Sequence, residues 1–567
     1  MMGRRSPQGS LFGAREHYLD FVGRKSFYGF LAQHGQELFQ DDQFAGFYCA
    51  TNGRPSVPPS LMAVALLLKA HDGVSDAEAT RRAAMDLGWK VALGVDVDAR
   101  PFAKSTLWEF RAQLVIHEEG QGIFDGVLSY AKAKGYLSGA LRVALDTTMV
   151  FGRGAVEDTY NLIGHGIRDL CRVLSSLSDE KAEAWSEARG LGRYFASSLK
   201  KAAGIDWDDA SAREAFLTEI IGDGQRVLEL GREARCGLER GSAADRRVVE
   251  AADLLVRLLW QDVEPTDEGY RIKKGTAKDR VPSADDSEQR HGRKSQGKTF
   301  TGHKAAVAVE ADTGVITAVD VVAGNESDGE SAATLVEATE GNTGCEVEQV
   351  IGDTAYGGME TRKALGDREV IAPTVKPGGR GSIPKSEFEI DVAEGRVRCP
   401  EGHETRDWTW KSEKVGADKT EVQVKCFAFP KQVCQACPRR AECYTEKRRG
   451  GRLITFHPDE ERLQAARALE QTDYFREQYD DRVVVEHRIA RLVQLGIRQA
   501  RYVGRKKTRF QLVMAAAVAN LTLLAGKEAS ESAFCRVFAP LRGLWRWVRS
   551  LTALSARWRP TPTRVAA

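Results

Sequence analysis

Several features are scarce in this chain of 567 residues. No apolar run reaches the roughly 18 to 20 residues that cross a bilayer. The longest candidate, 510–525, is interrupted by Gln511, Asn520 and Thr522. The N-terminus has no apolar stretch of the secretory kind, so the expectation is a cytoplasmic protein with no membrane partner. Net charge is also small: 82 Lys and Arg against 80 Asp and Glu leave +2, and the whole-chain balance selects no partner. Ten cysteines are too few for a disulfide scaffold of this length, and five of them (Cys49, Cys171, Cys236, Cys345, Cys535) are scattered singly. No His-rich cluster with an open position is present, which argues against a zinc hydrolase. Acid is nearly missing after Glu486. There, sixteen Lys and Arg face only Glu528 and Glu531, an excess of +14. A segment so basic favours a polyanion, most simply a nucleic-acid backbone.

What is present is an ordinary globular composition, 42% hydrophobic and 29% charged, in a chain too long for one core. Residues 1–35 read as a loose N-terminal segment and 36–138 as a helical domain. Leu61, Ala65, Leu66 and Leu68 form an apolar stripe after Pro58-Pro59, and Ser75-Asp76-Ala77-Glu78 has the form of a helix start. A short strand, 141–145, then leads to Asp146. The 155–298 stretch reads as a helical insertion, from the 3.6-residue spacing of Val248, Ala251, Ala252, Leu255, Leu258 and Leu259, followed by a basic loop. A hairpin over 304–322 turns at Asp312-Thr313-Gly314, and a helix near 331–340 precedes a strand, 347–351. Residues 380–458 alternate with period two and carry five cysteines. Helix returns over 459–526, and 527–567 forms a basic tail.

Three acids stand out. Asp146 follows Val-Ala-Leu, Asp353 follows Val-Ile-Gly, and Glu486 lies seven residues after Tyr479 and four after Arg482. On one continuous helix Tyr479, Arg482, Glu486 and Val493 share a face, so Arg482 can hold the Glu486 carboxylate ionised or contact a phosphate. Carboxylates converging from separate elements are what two metal ions need for in-line phosphoryl transfer.

The words around these acids are Asp146-Thr147-Thr148, Gly352-Asp353-Thr354-Ala355-Tyr356-Gly357 and Tyr479-x2-Arg482-x3-Glu486. They resemble the DDE transposases of bacterial insertion sequences, as do Gly53-Arg54-Pro55-Ser56, Ser75-Asp76, Trp89-Lys90 and Ser105-Thr106-Leu107 upstream. The resemblance covers roughly residues 35–525. It implies an α/β fold: an RNase H-like mixed-sheet core built from 139–154, 299–379 and 459–526. A helical DNA-binding domain precedes this core, a helical insertion follows its first strand, and the β-rich cysteine-containing insertion precedes its last catalytic helix. It also implies two Mg²⁺ or Mn²⁺ ions held by Asp146, Asp353 and Glu486, and cleavage at transposon ends followed by transfer of the 3′-OH strand into target DNA. Its partners are then the terminal inverted repeats and target duplex, engaged by a homodimer. The alternatives are an RNase H-like nuclease without strand transfer and an inactive, transposase-derived DNA-binding regulator. Where the family signature has a lysine this chain has Val493, with Arg491 the nearest basic side chain.

Cys434-x2-Cys437-x5-Cys443 forms a knuckle to which Cys399 adds a fourth thiolate, a set suited to structural Zn²⁺, with Cys426 and His403 as spares. Reduced thiols without metal are the alternative. Trp408 and Trp410 are either core residues or, by the resemblance, aromatics that hold a flipped base. Arg293 and Lys294 precede the hairpin strand expected beside Asp146. With Lys304 they are candidate phosphate ligands near the metals, or else part of a solvated loop. Arg498, Arg501, Arg505, Lys506 and Lys507 follow the Glu486 helix as candidate contacts to the DNA backbone or else a solvated face; Arg482 is a further candidate contact, and Tyr479 either another or a packing residue.

Overall fold

The computed structural model describes residues 1–5, 12–49, 52–117, 120–295, 297–375, 383–415, 420–443 and 450–555. It divides into two compact units, 1–136 with 513–567, and 137–512.

The first unit is helical. Its central helix, Pro59–Asp72, starts with proline at its first position and is buried on every side from Pro59 to Lys69. Gly73, at φ 68°, closes it in the left-handed conformation that glycine adopts most readily. The Ser75 side chain accepts from the Glu78 N–H and starts the next helix, Asp76–Met85. Helices Leu87–Leu93, Lys104–Ile116 and Gly120–Ala133 follow. Residues 1–35, expected to be loose, contain the helix Ala14–Val22 and most of Phe27–Leu38. Ser26 caps the second of these, and Phe27, Phe30 and Leu31 are buried at helical spacing. Averaged composition hid that face because polar residues surround it.

The second unit is built on a mixed sheet. β1 (Leu141–Phe151) opens it. A helical block follows, in which Thr159–Leu177 packs Ile163, Ile167, Leu170 and Leu174 against Leu255 and Leu259 of Ala243–Gln261. A small hairpin, β2 (Val263–Thr266) and β3 (Gly269–Ile272), was not expected from the sequence. β4 (Arg290–Ser295), β5 (Lys298–Glu310), β6 (Ile316–Ala323), β7 (Val347–Ile351) and β8 (Glu369–Ile371) complete the sheet. The path runs β4-β5-β1-β7-β8, with β6 also beside β5. β5 is antiparallel to β1 and β6, while β7 is parallel to β1 and β8. This mixed α/β arrangement is compatible with an RNase H-like core.

Four sequence expectations need correction. β1 does not stop at Asp146 but continues to Phe151, because β5 pairs with it along that whole length. Only the parallel pairing with β7 stops short, at Ala144 opposite Ile351. The 290–295 stretch is strand β4 rather than loop, hydrogen-bonded to the start of β5. Tyr479 and Glu486 lie on two helices, Asp473–Asp480 and Val483–Gln494. Between them the Arg482, Val484 and Val485 N–H groups bond three residues back, which tightens and breaks the turn. Finally, 527–555 continues the helix Arg505–Ser555, while 556–567 of the expected tail lies outside the described residues. Segment Arg505–Ser530 is long and apolar enough to cross a membrane, yet 72% of its apolar window is buried inside the protein, as in a core helix.

Residues 383–456 form the β-rich segment: β9 (Glu389–Asp391), β10 (Arg396–Arg398), β11 (Glu404–Thr405), β12 (Trp408–Val415), β13 (Thr420–Ala428) and β14 (Leu453–Thr455).

Candidate active site

Asp146 sits in mid-sheet, opposite Val307 of β5 and two residues past the last pairing with β7. Asp146 is half-buried there, next to buried Leu145 and half-buried Thr147. Burial raises its carboxyl to about 6, the negative fields of Asp353 and Asp328 add to the rise, and the Thr147 N–H and Arg482 oppose it. The Thr147 N–H donates to its Oδ1 at 2.7 Å.

Asp353 lies in the turn after β7, where its Oδ1 accepts from the Ala355 N–H at 2.8 Å and its carbonyl from the Tyr356 N–H at 3.0 Å. The glycines of this word have steric reasons. A Cβ on Gly352 would stand 2.7 Å from that of Tyr356, and one on Gly357 would stand 1.8 Å from the Pro373 carbonyl oxygen. The tight turn leaves Tyr356 wholly buried. Burial, then Asp146, Asp328 and Asp353, hold that phenol well above its ordinary pKa.

Glu486 is in the first turn of Val483–Gln494 and accepts from Arg482 Nη2 at 2.5 Å. The Arg482 guanidinium lies 5.6 Å from the Tyr479 ring, which stacks on Phe475. Burial works against the Arg482 charge, but Glu486, Tyr479 and Asp146 outweigh it and hold its pKa above the ordinary value. Arg482 therefore links the fields of Glu486 and Asp146 despite the break between the helices.

Three participants are absent from the sequence reading of the site. Asp328, in the short turn Asp328–Ser331, bears on Asp146 and accepts from Lys304 Nζ at 2.7 Å. Tyr356 was quoted only as part of a motif. Arg142, on the same strand as Asp146, donates to Asp312, Gln349, Gln478 and Asp481, tying the strand to the helix that precedes Arg482. An arginine inside Leu-Arg-Val-Ala-Leu was the visible signal for this last one, since a charge in an apolar strand needs partners.

Of the other expected site residues, Lys304 and Arg498 have partners close to Asp146 and the rest lie elsewhere. Arg293 faces Thr299, eight residues along β5 from the partner of Asp146, on the order of 26 Å at strand rise, so neither it nor Lys294 stands near the acids. Lys304 is engaged by Asp328 and the Glu326 carbonyl. Arg498 donates to Thr148 and the Met149 carbonyl, bracing β1. Arg505 pairs with Glu288, whereas Lys506 and Lys507 are exposed and Arg501 is half-buried. Trp408 and Trp410 are 40% and 61% exposed, which removes the core reading, and their rings meet edge to face at 5.2 Å. Val493, at the expected lysine position, is half-buried, and Arg491 donates to Gln494.

Among the described residues no three His, Cys, Asp or Glu side chains already stand in a metal-holding arrangement. The donor chemistry at Asp146 and Asp353 nevertheless fits a hard divalent cation. Asp353 adds to the rise of the Asp146 carboxyl in a partly desolvated place, and a cation would relieve it.

No curated protein and no solved structure matches the chain. Two family models do match. One is described as a transposase domain (DUF772) and matches residues 16–113; the other is described as a transposase DDE domain and matches residues 398–525. The first takes in most of the helical unit's N-terminal part. The second takes in the cysteine-bearing segment and the Arg482–Glu486 helix. Two transposase-domain matches in this order, over 16–113 and 398–525, support a DDE transposase of an insertion sequence.

Proposed function

We propose that the protein cuts DNA at transposon ends and transfers the freed 3′-OH strand into target DNA, with Asp146, Asp353 and Glu486 as the acidic centre of an RNase H-like core. The observation that carries this is Asp146 itself. It is a carboxylate held in mid-sheet, raised to about 6 by burial, and sharing its field with Asp353 and Arg482. Asp146 and Asp353, with Glu486 released from Arg482, would hold Mg²⁺ or Mn²⁺, which when bound sharpen an oxygen nucleophile and offset charge on the departing 3′-oxygen.

The remaining work falls to the chain's own groups. Arg482 orients Glu486 and keeps a positive charge facing Asp146. Tyr356, wholly buried within the field of the acids, excludes water there. The exposed Trp408–Trp410 pair, with Lys425 Nζ 4.9 Å from the Trp408 ring, offers a stacking platform for an unpaired base. Lys506, Lys507 and Arg501 follow the phosphate backbone. Joining two transposon ends requires two active sites, hence a homodimer on DNA.

The test uses duplexes carrying the inverted repeats that flank the gene. Wild-type protein with Mg²⁺ is expected to nick the end and join the 3′-OH to a second duplex, and Asp146→Asn and Glu486→Gln are expected to do neither. Nicking without joining would favour a nuclease. Absence of metal-dependent nicking in the wild type would favour a DNA-binding regulator.

A further inference from the structure

We infer that Cys399, Cys434, Cys437 and Cys443 form a second metal site, a four-thiolate Zn²⁺ site that fastens the β-rich segment, independently of the acidic centre. The segment needs a fastener. Its core is seven buried side chains, four of them phenylalanines (Phe388, Phe427, Phe429, Phe456), under strands of two to nine residues. A core that small does not hold a domain without a cross-link, a metal or a partner. Cys399, Cys434 and Cys443 all pack against that one core, where its apolar layer ends.

The backbone around each sulfur is shaped by short turns. Cys399 follows β10, and its N–H and carbonyl bond His403 and Gly402 at 2.8 Å, with Gly402 at φ 82°. Cys434 lies in the helix Lys431–Ala436 with Cys437 immediately after it, so the two sulfurs leave the same helix end. Cys443 ends the helix Arg440–Cys443. Arg452 is common to the cluster. Its backbone N–H donates to Cys434 Sγ at 3.4 Å, and its guanidinium donates to the Cys443 carbonyl at 2.8 Å and the Ile383 carbonyl at 2.9 Å. An N–H aimed at sulfur favours the thiolate, the form that binds metal.

No three of these sulfurs already stand in a metal-holding arrangement, so closing the shell requires their side chains to turn inward. Four soft donors with no carboxylate among them select Zn²⁺ over Mg²⁺, and a closed shell leaves no position for catalysis. Binding releases the thiol protons to solvent and changes no oxidation state.

The full-length protein, purified without chelator, is expected to contain about one zinc per chain. The four thiols should react with a disulfide reagent only after a zinc chelator is added. Cobalt should bind in place of zinc with the absorption of a tetrahedral thiolate. Cys434→Ser with Cys437→Ser should lose the zinc, and Cys236→Ser, a distant exposed cysteine, should keep it. If the double variant does not fold, cobalt binding by the wild-type chain decides. Zinc at background with no tetrahedral cobalt spectrum would overturn the inference. So would reaction of these four thiols without chelation, their release only by reductant (disulfides), or the absorption of an iron–sulfur cluster. Loss of strand transfer in the acidic variants would leave it untouched.

Discussion

Replacing Asp146 by asparagine should stabilise the metal-free protein while abolishing its activity, and the gain should depend on pH. The carboxyl rises from an ordinary 3.8 to about 6 in the folded chain, with burial the main cause. At about 1.4 kcal/mol per pH unit this corresponds to about 3 kcal/mol. The sign follows from proton binding. Below the unfolded value both states are protonated and the group contributes nothing. Between about 4 and 6 the unfolded chain ionises while the folded chain keeps its proton, so stability falls as pH rises. Above about 6 the folded carboxylate is charged and the penalty is full. Asp146→Asn should therefore melt a few degrees higher than wild type at pH 8 in magnesium-free buffer, and at the same temperature near pH 4. Millimolar Mg²⁺ should raise the wild-type transition at pH 8 and leave that of Asp146→Asn where it was. Melting curves at the two pH values, with and without Mg²⁺, measure all of this. Equal effects at both pH values, or none at pH 8, would refute the burial of this carboxylate as the source of its character.

Arg482→Ala should change stability by less than about 1 kcal/mol, because its pair with Glu486 is 25% and 47% exposed. End cleavage in a single-turnover assay should fall on the order of 100-fold, with Arg482→Lys recovering part of it. Arg142→Ala removes four partners that tie β1 to the helix before Arg482, and should cost about 2–3 kcal/mol in a denaturant titration. Trp410→Ala should leave stability within about 0.5 kcal/mol, since the ring is 61% exposed. It should weaken binding to end DNA containing an unpaired base by about 1–3 kcal/mol in fluorescence anisotropy; unchanged affinity would remove the stacking role.

The three acids stand out in the sequence because each follows an apolar run, and the structure brings Asp353 and Arg482 to act on Asp146. Strand periodicity placed β5, β6 and β7 close to where they lie, and the hairpin turn at Asp312-Thr313-Gly314 set the β5–β6 register that puts Val307 opposite Val319. The length of β1 was not legible. Thr147-Thr148-Met149 carries no signal that strand continues, and only the partner strand decides it. Nor was the break at Arg482, since Tyr479-x2-Arg482-x3-Glu486 suits one continuous helix and the tightened turn follows from packing. β4 looked like a loop because Arg290-His291-Gly292-Arg293-Lys294 is polar throughout, and its neighbour β5 supplies the order. Asp328 and Tyr356 escaped for the same reason. Their closeness to Asp146 is a long-range contact, made by a chain return that no local pattern encodes.

The central claim is that Asp146, Asp353 and Glu486 act as one centre for DNA strand transfer. Its most direct measurement is Mg²⁺-dependent joining of a labelled, pre-cut transposon end to a second duplex, comparing wild type with Asp146→Asn, Asp353→Asn and Glu486→Gln. The account predicts joined product for the wild type and none above background for each variant, with all four proteins binding the end equally. Joining by any one of the three variants at the wild-type rate would contradict it.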